Sequence, residues 1–139
     1  MNDEFLKTIE SLPETLVSSR LHDYFLEAIN LYEQQLIDRN AFITLIDKLA
    51  DKQWHNYEKL NSNTLNILDR IFSAIITSVN EINNNTLEVI SKIIGTLGLS
   101  ETYKMYKLAL IEGKLTNEKR IEINNTINEY GDSVENPWK

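Results

Sequence analysis

Apolar residues recur along this chain at the three- and four-residue spacing of an amphipathic helix. No stretch alternates apolar with polar long enough to propose a strand. Leu21, Phe25, Ile29, Tyr32 and Leu36 draw one stripe; Phe42, Leu45, Ile46 and Leu49 draw a second. Leu65, Leu68, Phe72, Ile75, Ile76 and Val79 cover much of the circumference of another helix, which belongs near the centre. Read this way, the chain carries seven helices, at about 3–10, 14–37, 40–59, 63–80, 86–97, 100–112 and 117–130.

The breaks between these stripes have their own chemistry. Pro13 suits a first helical turn, where its missing N–H has no partner to lose. Asp38-Arg39-Asn40, Asn61-Ser62-Asn63, Asn83-Asn84-Asn85 and Thr116 supply short polar side chains that cap exposed amides. Gly98, Gly113 and Gly131 close helices, because glycine takes the left-handed conformation without steric cost. This punctuation divides the chain into three helical hairpins, 14–59, 63–98 and 100–130. Their length, roughly 30 to 45 residues, is that of stacked helical repeats. A faint echo aligns Tyr32–Asp38 with Ile111–Asn117, although it sets Leu45 and Ile46 against Asn124 and Asn125. The expected fold is all-α, with about seven helices in three hairpins that form either a HEAT-like stacked array or a compact irregular bundle. Residues 1–131 read as one domain and 132–139, with Pro137 and Trp138, as an irregular acidic tail.

Composition narrows the function more than the fold. The chain has 139 residues, of which 42% are apolar and 25% charged, close to the globular average. It has no cysteine, which excludes disulfides and Cys-based zinc sites. The start, Met-Asn-Asp-Glu-Phe-Leu-Lys, lacks the basic and apolar segments of a signal peptide. The most apolar stretch, 71–79, is too short for a bilayer, so a cytoplasmic protein is expected. The net charge of −7 repels phosphate backbones and anionic lipid, and it attracts basic proteins. Lys104, Lys107, Lys114, Lys119 and Arg120 are dispersed among glutamates, so neither nucleic-acid nor membrane binding is expected. Asparagine is frequent, as at Asn83-Asn84-Asn85 and Asn124-Asn125. It reads as an amide-rich surface or as codon bias.

Catalytic chemistry needs a nucleophile, base or metal with a positioned partner, and the chain offers few. Its glycines are isolated, its histidines are only His22 and His55, and no His-Glu-x-x-His occurs. His22 is expected on the wet side of its helix. No enzyme activity, cofactor or metal is expected. One group stands out: Asp47, Asp51, His55 and Glu58 follow each other at four, four and three residues, which places them on one helix face. A divalent cation would need further oxygen ligands from another helix, and the reversed His-x-x-Glu occurs once. The plainer reading is a solvated acidic face with Lys48 and Lys52 interleaved. Trp54 and Tyr57 flank the stripe, as core aromatics or as anchors within an acidic rim. The candidate partner-binding set is Asp47, Asp51, Trp54, His55 and Glu58, with Asp23 and Glu27 on the neighbouring helix. Leu26, Ile37 and Ile43 are candidates for outward apolar residues that pair two copies.

A small, acidic, cysteine-free, helical chain without catalytic equipment resembles the immunity proteins that protect bacteria from polymorphic or contact-dependent toxins. The resemblance is one of type, over the whole chain. It implies a cytosolic antitoxin that binds a cognate toxin domain, often a basic nuclease, by direct contact. The alternative is a non-enzymatic helical adaptor in a bacterial or phage assembly.

Overall fold

Three short polar side chains start three helices. Asp38 Oδ1 accepts the Ala41 N–H at 2.7 Å, Asn83 Oδ1 the Thr86 N–H at 2.8 Å, and Thr116 Oγ1 the Lys119 N–H at 3.5 Å. Each satisfies an amide that the helix's own carbonyls cannot reach. The helices they open are α3 (Arg39–His55), α5 (Asn84–Leu97) and α7 (Asn117–Tyr130). They alternate with α2 (Ser18–Glu33), α4 (Ser62–Ile76) and α6 (Ser100–Glu112), and α1 (Asn2–Ser11) precedes them. A 3-10 turn, Val79–Glu81, leads into α5. The computed structural model describes residues 2–11, 18–55 and 60–131. Among them the chain is all-helical, with seven α-helices and no strand. No described helix is long and apolar enough to cross a membrane.

The helices pack in two rows. α2, α4 and α6 lie side by side in the first, α3, α5 and α7 in the second, with α1 against α3. Each helix therefore neighbours the next-but-one in sequence, the order of stacked hairpins. The second row runs parallel and in register. Asn84 Nδ2 donates to Glu118 near the start of α5 and α7, and Gly95 meets Tyr130 near their ends. Counted from the caps, Leu45 of α3, Ile90 of α5 and Ile123 of α7 hold the same position, and all three are buried. Leu49, Ile94 and Ile127 follow four residues on, the last half-buried. The sequence echo was set one residue out: Asp38 corresponds to Thr116, not Asn117, and the shift brings apolar positions together.

Polar links fix how the rows meet. Asp69 of α4 reaches the first turn of α6, which has no side-chain cap of its own. Its Oδ2 accepts the Glu101 N–H at 2.9 Å, and its Oδ1 accepts the Thr102 N–H at 2.8 Å and the Thr102 hydroxyl at 2.6 Å. The buried Ser91 and Tyr106 hydroxyls lie 2.8 Å apart, which ties α5 to α6. The Tyr103 hydroxyl of α6 donates to the Gly131 carbonyl at the end of α7.

Several expectations change. The second helix ends at Glu33, not Ile37. The Leu36 N–H donates to the Leu31 carbonyl at 2.9 Å and the Gln35 N–H to the Tyr32 carbonyl at 3.0 Å. Gln35 takes φ 61° at the left-handed position that usually falls to glycine. Leu36 is consequently exposed rather than part of the stripe, and Ile37 turns inward. Ile43 is buried as well, so of the three outward candidates only Leu26 is exposed. The fourth helix stops at Ile76 instead of Asn80. Pro13, Tyr57, the end of the third helix and the tail 132–139 fall outside the described residues.

Candidate functional site

Asp47 and Asp51 lie one turn apart on the flank of α3 that faces α5. The ammonium of Lys92, from α5, sits 3.1 Å from Asp47 Oδ1 and 2.9 Å from Asp51 Oδ1. Asp47 Oδ1 is enclosed, with the Lys92 ammonium beside it. Burial opposes the charge on Lys92, but hydrogen bonds to Asp51 and Asp47 and their negative charges outweigh it. The ammonium is held above its ordinary 10.5. Two carboxylates thus share one cation, and the pair braces α3 against α5.

The sequence-chosen residues divide between the rows. Asp23 and Glu27 are exposed, one turn apart on α2 in the first row, with Leu26 between them at 40% exposure. No hydrogen bond or ion pair joins them to the α3 pair. Trp54 and His55 lie in the last turn of α3, but their side chains and all of Glu58 fall outside the described residues. His22 is half-buried, not on the wet side: its ring nitrogens lie 3.2 and 3.4 Å from the Thr64 hydroxyl on α4.

A second group of carboxylates escaped the sequence reading. Glu88 of α5 and Glu118 and Glu122 of α7 form no ion pair among the described residues. The Asn84–Glu118 hydrogen bond sets the register of the two helices. One turn further along each, Glu88 and Glu122 come to the same level. With the α3 pair they bring five carboxylates to the second row, against Lys92 and, beside Asp47, Lys48. The usable signal was the repeat register, which the offset echo concealed.

Two hollows flank these helices. One of about 300 Å³ lies between the starts of α3 and α5, lined among others by Ile43, Thr44, Asp47, Lys48, Thr86 and Val89. The other, about 320 Å³, lies at the corner of α4 and α6, among Ile76, Val79, Met105, Ala109 and Leu115. Neither lining holds a histidine or a paired base and nucleophile. No group of three or more metal-ligating side chains occurs among the described residues. Compared with known protein families, curated proteins and solved structures, the chain matches none.

Proposed function

We propose that the chain is an immunity protein, a cytoplasmic antitoxin that binds and neutralises a basic bacterial toxin domain by direct contact. The observation that carries this reading is the unbalanced charge. The net charge is −7, and Glu88, Glu118 and Glu122 have no cation of their own among the described residues. An acidic face steers a basic partner to encounter and repels nucleic acid. Asp51, half-exposed beside Lys92, extends that face to α3, where Trp54, His55 and Glu58 continue the stripe along the sequence. Asp23 and Glu27 offer a separate, smaller contact on α2. The second-row face is preferred because its carboxylates span three neighbouring helices.

Co-expression with the product of the adjacent upstream reading frame tests the function. The expected result is a product that stops growth alone, growth restored by this chain, and an equimolar complex that weakens with salt. A harmless neighbour, or rescue without complex formation, contradicts it. The adaptor reading would instead show several partners in a larger assembly.

A further inference from the structure

The two most exposed large apolar residues among those described are Ile111, 80% exposed, and Ile121, 59% exposed. Both belong to the last hairpin, on α6 and α7. The repeat register explains Ile121. It holds the position on α7 that Ile43 holds on α3, five residues beyond the cap. Ile43 is 2% exposed and lines the seam with α5. Among the described residues no helix follows α7 in the row, and the equivalent side chain is exposed. Asn117, Asn124, Asn125 and Asn128 are exposed around it, at the i−4, i+3, i+4 and i+7 positions that share its side of the helix. Glu118, exposed, and Glu122, half-buried, lie along the margin.

We propose that this open end of the array, centred on Ile121, docks a basic amphipathic helix of a protein partner, laid beside α7 where the next helix of the row would stand. The inference rests on the toxin-binding reading and names the surface element that carries it. An apolar residue of the incoming helix covers Ile121, as α5 covers Ile43. Its Lys and Arg side chains donate to the asparagine carbonyls and pair with Glu118 and Glu122. Ile111 extends the apolar contact onto α6. The asparagines at Asn124-Asn125 thereby gain a binding role.

The probe is a synthetic 18-residue helical peptide of Lys, Arg and Leu, titrated into the full chain at low and high salt while backbone amide shifts are followed. Expected are shifts centred on 117–129 and near Ile111, affinity that falls with salt, and a loss of about tenfold or more on Ile121→Asp. Asn124→Ala with Asn125→Ala is a milder variant, in case Ile121→Asp perturbs the helix; it should also weaken binding. Asp23→Lys with Glu27→Lys should leave the shifts on α7 in place. Shifts confined to α2 or α3, or no binding, overturn the proposal. So does a free dimer that Ile121→Asp dissociates, which would assign the edge to a second copy. Shifts at α7 that appear only after removal of 132–139 would assign it to the chain's own tail. Peptide binding at α7 beside a harmless neighbouring gene product would leave the surface standing and remove the toxin. Rescue that survives Ile121→Asp, with no peptide shifts at α7, would do the reverse.

Discussion

At the scale of single residues, the sharpest constraint is Gly95, whose space is filled by a neighbour. A Cβ there would collide with the ring and hydroxyl of Tyr130, across from α7. In an isolated helix, alanine would improve on glycine by about 0.5–1 kcal/mol. Here Gly95→Ala should destabilise by about 1–3 kcal/mol, because overpacking outweighs propensity. In a Tyr130→Ala background the same substitution should become neutral or stabilising, which a denaturant-melt cycle would read directly. Gln35 presents the opposite case, a side chain where φ 61° favours none. Gln35→Gly should stabilise by about 0.5–1 kcal/mol in the same assay.

The buried Tyr106 gives the fold a pH dependence. Burial, opposed by its hydrogen bond with Ser91 and aided by the charge of Glu122, pushes its phenol well above the ordinary 10.0. The folded chain then holds that proton more tightly than the unfolded chain does. Its contribution to stability is therefore level below pH 10.0 and falls as pH rises past it. Lys92 acts in the same direction: its charged pairing is intact below 10.5 and is lost as pH rises through its raised folded value. Alkaline melts should show this fall, and Tyr106→Phe should make it shallower. A fall unchanged by Tyr106→Phe would show that the phenol is not its source.

At the scale of helices, the caps Asp38, Asn83 and Thr116 do the same job in three places. Replacing any one by alanine should cost about 0.5–2 kcal/mol, with similar values at all three sites. Asp69 should cost more, about 2 kcal/mol or above in Asp69→Ala, since two backbone amides and the buried Thr102 hydroxyl lose their acceptor. Equal losses at Asp69 and the local caps would contradict its role in joining α4 to α6.

These elements show how far the sequence was legible. Stripes such as Phe42, Leu45, Ile46 and Leu49 face the core as spacing predicts, because a helix without a buried face gains little from folding. Asn61, Asn83 and Thr116 cap where short polar side chains precede an apolar run. The end of α2 was missed because Gln35, not glycine, takes the left-handed position. The cap of α6 was missed because Asp69 lies in another helix, and no local rule reaches across that distance. The acidic face was misjudged for a similar reason. Spacing placed Asp47 and Asp51 on one side of α3 correctly. It said nothing of Lys92, which packing brings between them, or of Glu88 and Glu122, which only the register of α5 and α7 aligns.

At the scale of the whole molecule, the two-row array separates tasks. Its interior is sealed by buried side chains from the described helices, with Phe42, Phe72 and Tyr106 at 0% exposure. The carboxylates of the second row and the exposed Ile111 and Ile121 are the surfaces assigned to contact in the proposed function. In the proposed complex a single partner engages both, because α7 belongs to each; charge then governs the approach and the isoleucines the lifetime.

The most direct measurement is growth rescue against the upstream gene product, comparing charge reversal on the two rows. Toxin binding through the second row predicts that Glu88→Lys with Glu118→Lys and Glu122→Lys abolishes rescue while the variant remains folded. It also predicts that Asp23→Lys with Glu27→Lys leaves rescue intact. Full rescue by the second-row variant, or loss of rescue only with the α2 variant, would contradict it.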